Sequence, residues 1–337
     1  MFDVITIGGA TRDITFITSR GTIIETPQDL TQQKKLCFEY GAKIYPQEVY
    51  FSFGGGAANT ALGLVKFGLK VSTILRIGKD SNGAAIKKNL ADGKVDISLI
   101  QEDEELKTAI SFIIIPRPKT DHTIFVYRGA NEKLKIKNEK LKTVIGNSKW
   151  LYLTSFSGNW QKNFREIVRL VKESKIKLAF NPGALQIKEG IKGLKDILRI
   201  TDVFVVNKDE ATELVLSTQR RHSLHKGSLT ELMKIIHNFG PKIVVITDGI
   251  NGAYVLKDKE VLHTPADSKK SVDTTGAGDA FGSGFLGGLI LTKKVDRALK
   301  YGIINSGNVV GTYGAQKGLL NKKEIEKKIG RIKIKRL

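Results

Sequence analysis

Residues 273–281 read Asp-Thr-Thr-Gly-Ala-Gly-Asp-Ala-Phe and stand directly before a long helical pattern. The small residues Gly276, Ala277 and Gly278 permit a tight turn in which successive backbone N–H groups point at one spot. With the dipole of the following helix, such a turn favours a phosphate, or the charge that develops on one during transfer. Asp279 lies in the first helical turn, where it could take a proton from an attacking alcohol. The same fragment also fits an ordinary helix N-terminus with a favourable acidic residue in its first turn. Other segments of the sequence are therefore needed to distinguish the two interpretations.

Upstream, short apolar runs alternate with longer amphipathic stretches, a pattern typical of βα units that build a parallel sheet covered on both faces. This pattern predicts core strands over residues 4–8, 71–77, 150–154, 177–181, 202–207 and 243–247. It predicts helices over 57–67, 82–91, 159–173, 188–199, 210–216, 229–238, 277–291 and 295–310. The fold class is therefore α/β.

Two regions interrupt the alternation with strand-like runs that have no helices between them. These runs cover residues 14–18, 42–45, 49–53, 109–115 and 123–128. We expect them to pair antiparallel in a small separate sheet, placed as a lid over the ligand crevice of the main domain. No linker composition separates the two parts, so residues 1–337 are interpreted as one domain, with lid strands within about 14–53 and 108–128.

Composition narrows the function classes. The chain has 337 residues, 41% hydrophobic and 26% charged, and its longest apolar runs are too short to span a bilayer. With no leader-like segment and one cysteine, we expect a cytoplasmic protein without membrane partners. The net charge of +21 is spread over the whole sequence. We interpret it as a lysine-rich solvated surface, with no specific nucleic-acid partner. The alternative is a surface that steers anionic substrates and binds nucleic acid weakly and without specificity at low salt.

The run at 273–281 resembles the C-terminal signature of the ribokinase-like (PfkB) carbohydrate kinases at essentially every position. This resemblance implies a three-layer αβα, Rossmann-like core with a mostly parallel central sheet and a small β-sheet lid. It implies that Asp279 is the base that activates an acceptor hydroxyl. It also implies that Gly276, Ala277 and Gly278 form the anion hole for the γ-phosphate of ATP.

A second signature, GGGAAN at residues 54–59, opens the first predicted helix after the lid. Its glycines let backbone approach a polyhydroxylated ligand, and Asn59 offers donors and an acceptor to hydroxyls. The segment resembles the G-G-x-x-x-N sugar-binding segment of the family, which implies substrate contacts from Gly54, Gly55 and Asn59. Asp13 matches the aspartate of the family that accepts hydrogen bonds from two sugar hydroxyls.

Further segments resemble the nucleotide and cation sites of the family. Asn207 to Glu210 matches an N-x-x-E motif, whose glutamate organises Mg²⁺ through water, although the same spacing also fits a helix capping box. The residues with an implied nucleotide contact are Asn181, Asn207, Thr247, Gly249, Gly252, Gly276, Gly278 and Asn305. The backbone carbonyls of Asp273 and Thr275 resemble ligands of a monovalent cation such as K⁺.

The acceptor stays open at this stage. The resemblance implies a sugar acceptor, with a nucleoside such as adenosine as the alternative. Ribokinases carry lysine where this chain has Gly56 and glutamate near the position of Ser155, and the loss of both leaves room for a different or larger acceptor. Arg128 fits either a cation for an acidic acceptor or a solvated loop arginine. A non-catalytic binding protein on the same fold is a third hypothesis, which the intact Asp279 opposes. The resemblance also implies a homodimer that pairs through the lid.

Two other nucleotide-binding motifs do not fit this sequence. The sequence has no G-x-x-x-x-G-K-[ST] loop, which argues against a P-loop kinase. A G-x-G-x-x-G pattern at Gly282, Gly284 and Gly287 lies inside a predicted helix rather than after a strand, so it indicates close helix packing.

Overall fold

The computed structural model describes residues 1–26, 34–117, 122–136, 139–216, 228–267 and 271–337. In these ranges the strands are β1 Val4–Ile7, β2 Thr11–Thr18, β3 Thr22–Glu25, β4 Lys34–Cys37, β5 Glu48–Gly54, β6 Val71–Ile74, β7 Arg76–Gly78, β8 Gln101–Asp103, β9 Ile110–Pro116, β10 Thr123–Tyr127, β11 Trp150–Leu153, β12 Lys177–Phe180, β13 Val203–Asn207, β14 Ile243–Thr247, β15 Ala253–Lys257, β16 Glu260–Thr264 and β17 Lys335–Arg336.

The α-helices of the same ranges are α1 Gly56–Val65, α2 Ser81–Asp92, α3 Glu139–Gly146, α4 Trp160–Ser174, α5 Ala184–Ile187, α6 Gly190–Gly193, α7 Lys195–Leu198, α8 Lys208–Leu216, α9 Leu229–Asn238, α10 Ala277–Thr292, α11 Val295–Val309 and α12 Lys322–Glu326. Short 3₁₀ turns occupy Gly129–Lys133, Gly249–Asn251 and Ile329–Arg331. Among the described residues, no helix has the length and apolar character that crossing a bilayer requires.

The main sheet has nine strands in the described chain, in the order β17-β16-β15-β14-β13-β12-β11-β1-β6. The six strands from β14 to β6 are parallel, and they correspond to the six predicted core strands. Their residues are almost all buried because helices cover both faces. One apolar cluster joins α1, α10 and α11 to one face, and another joins α4, α8 and α9 to the other. The predicted three-layer αβα core is confirmed.

The small sheet consists of four strands of the described chain in the order β10-β9-β2-β5. Strand formation is confirmed for the runs at 14–18, 49–53, 109–115 and 123–128. The expectation that all of them pair antiparallel is wrong, because β2 and β9 are parallel. The chain between these two strands passes through β6 and α2 of the main domain, so they form a crossover pair rather than a hairpin.

Four other expectations need correction. Residues 42–45 form no strand, because Pro46 at the end of this run has no N–H to donate to a strand ladder, and β3 pairs with β4 instead. The predicted strand 71–77 is divided into β6 and β7. The predicted helix 188–199 is divided into α6, which begins at Gly190 with φ +70°, and α7, with Leu194 between them. The antiparallel pair β15 and β16 was not predicted. Its two-residue turn begins at Asp258, which adopts φ +55°.

Candidate active site

The turn before α10 has the geometry of an anion-binding cradle. Gly276 caps the helix at φ +76°, and a Cβ there would lie 2.3 Å from the Ala315 methyl group, so a larger residue would be strained. The N–H groups of Gly276, Gly278 and Asp279 find no acceptor in the described part of the chain. Ala277 instead donates its N–H to the Thr274 carbonyl at 3.2 Å. The free N–H groups and the helix dipole favour an anion here.

Gly278 marks the open side of this cradle. A Cβ added at Gly278 would meet no atom within 4 Å. The turn therefore faces free space at this position, which leaves room for a ligand to reach the free N–H groups.

Asp279 lies in the first turn of α10 and contacts the second signature. Its Oδ2 accepts a hydrogen bond from Asn59 Nδ2 at 2.8 Å. Burial raises the pKa of Asp279 above its ordinary value, and the Asn59 hydrogen bond opposes that rise. Asn59 is only 3% exposed, and Gln316 Nε2 donates to its Oδ1 at 2.8 Å. The sequence predicted that Asn59 offers both donors and an acceptor to substrate hydroxyls. Because its oxygen and one N–H are already used, only the second N–H of the amide remains for a substrate.

Asp13, on β2, is 4% exposed and faces the same space. Its Oδ1 accepts a hydrogen bond from the Thr11 hydroxyl at 2.7 Å, and the register places it opposite Ser111 of β9. Burial raises the pKa of Asp13 to about 6, and the charges of Asp273 and Asp279 add to the rise. A Cβ at Gly54 would lie 2.1 Å from Asp13 Oδ2, so Gly54 makes room for this carboxyl.

Glu210, at the start of α8, lies close enough to Asp279 for the two charges to interact. Burial raises the pKa of Glu210, the charges of Asp209 and Asp279 add to the rise, and the Asn207 N–H opposes it. The charge of Asp279 therefore raises the pKa of both Asp13 and Glu210, although the chain as a whole has a net charge of +21. A site of this kind gains stability when hydroxyl donors or a cation enter it.

Asn207 and Glu210 form the capping box that their spacing also allowed. Asn207 Oδ1 accepts from the Glu210 N–H at 2.8 Å, and Glu210 Oε2 accepts from the Asn207 N–H at 2.9 Å. The other carboxylate oxygen of Glu210 is not used by this box. No group of three or more His, Cys, Asp or Glu residues among those described is arranged to hold a metal. A single half-buried carboxylate fits Mg²⁺, which keeps most of its waters and is held largely by phosphates.

Asp273 ties the cradle to the segment after α11. Its Oδ1 accepts from the Thr275 N–H at 2.8 Å, and its Oδ2 accepts from the Gly314 N–H at 2.9 Å. The Thr275 hydroxyl is buried without a hydrogen-bond partner in the described residues. An unpaired buried hydroxyl is costly unless a ligand or ion satisfies it, so this position fits a nearby bound group.

The remaining predicted nucleotide residues, except Asn305, follow consecutive parallel strands of the main sheet. Asn181 follows β12 and donates from Nδ2 to the Val205 carbonyl at 2.8 Å. Thr247 ends β14, and Gly249 and Gly252 adopt φ +51° and +94° in the turn beyond it. Carboxyl ends of parallel strands meet at one edge of the sheet, where open α/β sheets bind ligands.

Asn305 does not lie in this crevice. It is 0% exposed on α11, donates from Nδ2 to the Ala280 carbonyl at 2.8 Å and accepts at Oδ1 from the Leu320 N–H at 3.0 Å. Both ends of the amide are therefore occupied inside the protein. The predicted direct contact of Asn305 with the nucleotide is corrected to a packing role that joins α10 to α11.

The glycine segment before α1 is packed closely against neighbouring backbone. Gly55 adopts φ +91°, and a Cβ there would lie 2.5 Å from the Gly9 carbonyl oxygen. A Cβ at Gly56 would lie 2.9 Å from Thr154 Cβ. Thr154 thus occupies the space beside Gly56, which explains why a long side chain is absent at this position.

A cavity of about 170 Å³ lies next to this segment. Its lining includes Gly55, Ser155, Gly183 and the side chain of Arg128, which makes no ion pair with a carboxylate in the described ranges. Thr11, the partner of Asp13, also lines it. The cavity therefore extends from the neighbourhood of Asp13 to Arg128.

Comparison with known proteins agrees with this geometry. The sequence pattern described as pfkB family carbohydrate kinase matches residues 17–322. The chain belongs to the pfkB family. As a carbohydrate kinase it is a phosphotransferase with an alcohol acceptor. Kinases of the ribokinase family use ATP, which implies ATP as the donor and usually Mg²⁺ with it.

Individual relatives differ in their acceptors. The chain is 28% identical to a 5-dehydro-2-deoxygluconokinase of Halalkalibacterium halodurans, over 88% of this chain and 93% of that one. The Arabidopsis thaliana ribokinase complexed with ribose and ATP has a similar fold (TM-score 0.79, 18% identity, 97% of this chain and 98% of that one). So does the Methanocaldococcus jannaschii nucleoside kinase (TM-score 0.75, 19% identity, 98% of both chains). The pfkB assignment leaves the acceptor of this chain open.

Sequence reasoning missed several residues around Asp279 and Asp13. Gln316 contacts Asn59, Asn89 contacts Gln316, and the Tyr152 hydroxyl is buried near Asp279 without a hydrogen-bond partner in the described residues. None of them stands in a local motif. Because they come from β11, α2 and the segment after α11, only the packed fold brings them to the site.

Proposed function

We propose that the protein transfers the γ-phosphate of ATP to a hydroxyl of a sugar, with Asp279 as the base. The observation that carries this proposal is the position of Asp279 in the first turn of α10, one residue after Gly278 and beside backbone N–H groups that are free in the described chain. Base and phosphate cradle thus belong to one rigid element, which suits in-line transfer.

The acceptor binds at Asp13, Gly54 and Gly55, with the remaining Asn59 N–H toward one of its hydroxyls. An ionised Asp13 accepts hydrogen bonds from two hydroxyls, which offsets the burial that raises its pKa. ATP lies along the edge formed by Asn181, Asn207, Thr247, Gly249 and Gly252. Closure of the small sheet over the acceptor excludes water, which would otherwise hydrolyse ATP.

In the transfer step Asp279 removes the proton of the acceptor hydroxyl as its oxygen forms a bond to the γ-phosphorus. The bond from that phosphorus to the β,γ-bridging oxygen breaks, and ADP leaves with the electron pair. The free N–H groups of Gly276 and Gly278 stabilise the charge on the moving phosphoryl group. A loose transition state requires little prior deprotonation, so a carboxylate is a sufficient base.

The ions have separate places in this proposal. Glu210 would hold Mg²⁺ through water, and the ion would supply charge neutralisation for the phosphates. The carbonyls of Asp273 and Thr275 hold a monovalent cation such as K⁺, and the unpaired Thr275 hydroxyl supports a bound group at this place. Dependence of the rate on K⁺ over Na⁺ tests the second site independently of the first.

The deciding experiment measures ATP consumption with a panel of pentoses, hexoses, sugar acids, sugar phosphates and nucleosides. Asp279→Asn should abolish turnover on the best acceptor, while Asp209→Asn, an exposed neighbour of Glu210, should keep it. Activity that survives Asp279→Asn would refute the mechanism. A nucleoside as the best acceptor would replace the sugar by the alternative acceptor class.

Arg128 favours a second, narrower candidate, in which the acceptor carries an anionic group. Arg128 lines the cavity that also contains Thr11, the partner of Asp13, and it makes no ion pair with a carboxylate in the described chain. A relative with 28% identity is named for a sugar acid derivative, which agrees with this charge. Arg128→Gln should raise the KM for an acidic acceptor at least 10-fold and leave the KM for a neutral sugar within about 3-fold, the difference expected for one bidentate charge pair. An equal change for both acceptors would exclude the anionic class.

The outer face of the small sheet supports the proposed homodimer. Phe51, Ile14, Phe112 and Phe125 lie in one row across its four strands, and Phe51 and Phe125 are more than half exposed. A second copy of the same face would bury this row. Sedimentation of Phe51→Lys against the unchanged protein tests it, since a dimer through this face should dissociate.

A further inference from the structure

Asp279 stands at the end of a chain of three side-chain amides. Asn89 Nδ2 donates to Gln316 Oε1 at 2.9 Å, Gln316 Nε2 donates to Asn59 Oδ1 at 2.8 Å, and Asn59 Nδ2 donates to Asp279 Oδ2 at 2.8 Å. These residues come from α2, the segment after α11, α1 and α10. Four separate parts of the chain therefore meet in one line of hydrogen bonds.

The carboxylate sets the direction of the whole line. An ionised carboxylate only accepts, so Asn59 must turn its NH₂ group toward Asp279 and its oxygen toward Gln316. Gln316 must then present its NH₂ to Asn59 and its oxygen to Asn89. Each amide has one orientation that satisfies both neighbours, and turning one of them would place two oxygens or two NH₂ groups face to face.

Gln316 is itself held firmly by the segment around it. The Gly314 N–H donates to Asp273 at 2.9 Å, and Ala315 packs against Gly276 of the cradle. The Tyr313 ring stacks on Tyr50 of β5 at 4.6 Å between centroids. Gln316 is therefore placed relative to the cradle on one side and the small sheet on the other.

We propose that Gln316 and Asn89 are positioning residues for phosphoryl transfer, which fix the Asn59 amide so that it donates to Asp279 and never presents its oxygen to it. This inference rests on the proposed role of Asp279 as base. The hydrogen bond occupies Oδ2 and leaves Oδ1 for the proton of the acceptor. Neither Gln316 nor Asn89 contacts the acceptor or the nucleotide in this arrangement.

The other groups that act on the charge of Asp279 stay unchanged when Gln316 is replaced. They are Asp13 from β2, Glu210 from α8 and the Tyr152 hydroxyl from β11. A change in the acidic limb of the rate profile can then be attributed to the amide line.

The test is Gln316→Glu, which keeps the size of the side chain and removes its donor at neutral pH. The Asn59 amide should turn to serve the new carboxylate and direct its oxygen at Asp279. We expect kcat to fall roughly 10- to 100-fold, as for loss of one hydrogen bond to a charged group. The acidic limb of the kcat profile should move up by about one pH unit, with the KM for ATP within 3-fold.

Two controls separate orientation from charge and from stability. Lys317 is the exposed neighbour of Gln316 and takes no part in the amide line. Lys317→Glu changes the net charge by twice as much as Gln316→Glu and should leave the acidic limb of the kcat profile in place. The uncharged variant Gln316→Met should also lower kcat, with the KM for ATP again within 3-fold. It replaces Gln316→Glu as the test if that variant folds poorly. Asn89→Asp should act in the direction of Gln316→Glu, whereas Asn89→Leu should act more weakly.

The outcomes distinguish this inference from the proposed function. If Asp279→Asn remains active, the proposed function fails. If Asp279→Asn is inactive but Gln316→Glu keeps the kcat and the acidic limb of the unchanged protein, the positioning role fails alone. If Lys317→Glu shifts the acidic limb as far as Gln316→Glu does, the shift is an effect of net charge and not of amide orientation. That result would overturn the inference.

Discussion

Replacing Asp13 by asparagine should stabilise the protein at neutral pH while lowering its activity. Asp13 is 4% exposed, and burial raises its pKa from the ordinary 3.8 to about 6. Asparagine keeps the size of the side chain and its acceptor for the Thr11 hydroxyl, but it carries no charge that burial would penalise.

The sign and size of this effect follow from proton linkage. Between about pH 4 and pH 6 the folded protein holds the Asp13 proton while the unfolded chain has released it, so the unfolding free energy falls as pH rises, and the full deficit is present above pH 6. The difference between about 6 and 3.8 corresponds to an upper limit of about 3 kcal/mol at 1.36 kcal/mol per unit. We expect a gain of about 1–3 kcal/mol for Asp13→Asn at pH 7.5 that shrinks toward pH 4.5.

Urea unfolding of both proteins at pH 4.5 and 7.5 measures this difference directly. Asp258→Asn, at an exposed turn, is the matched control and should change the stability little at either pH. The same preparations should show a KM for the acceptor raised at least 10-fold by Asp13→Asn. A variant no more stable than the unchanged protein at pH 7.5, or a gain independent of pH, would refute the reasoning.

Four other substitutions test three separate parts of the site. Gly278→Ala should lower kcat about 10-fold or more without loss of Tm, because its methyl group enters the open side of the cradle, whereas Gly276→Ala should also cost about 1–3 kcal/mol at φ +76°; equal effects of the two on Tm and kcat would contradict this assignment. Asn305→Ala should cost about 1–3 kcal/mol because the buried Leu320 N–H loses its acceptor, with the KM for ATP within about 3-fold; a large rise of that KM with intact stability would restore the direct nucleotide contact. Tyr152→Phe should stabilise the protein by about 1 kcal/mol in thermal unfolding, because the hydroxyl is buried without a partner in the described chain; a destabilised variant would show that the hydroxyl is satisfied by a bound water or ligand.

Periodicity of apolar residues predicted the core well and the small sheet in part. The six parallel strands are short, apolar and buried on both faces, so each is marked by its own composition. The parallel pairing of β2 and β9 has no such mark, because register across a crossover depends on where the main domain places both strands. The pair β15 and β16 was overlooked because its turn at Asp258 contains no glycine.

Local motifs likewise predicted the parts of the site that lie close in sequence. The turn at Gly276 and the first helical turn with Asp279 are encoded within a few residues. The partners of Asn59 are not, since Asp279 and Gln316 are more than 200 residues away. Sequence position also gave Asn305 a ligand contact that its complete burial excludes. Burial and long-range hydrogen bonds are properties of the packed chain, and a single sequence does not display them.

The order of elements along the chain has a consequence for protein synthesis. The four described strands of the small sheet, Asp13 and the glycine segment are all synthesised by residue 127. Pairing of β2 with β9 closes a loop of about a hundred residues, so it has to wait until the strands and helices between them have been made. The cradle and Asp279 follow only after β16. A growing chain would therefore assemble its acceptor side well before any segment able to activate a phosphate, and truncated products should not hydrolyse ATP.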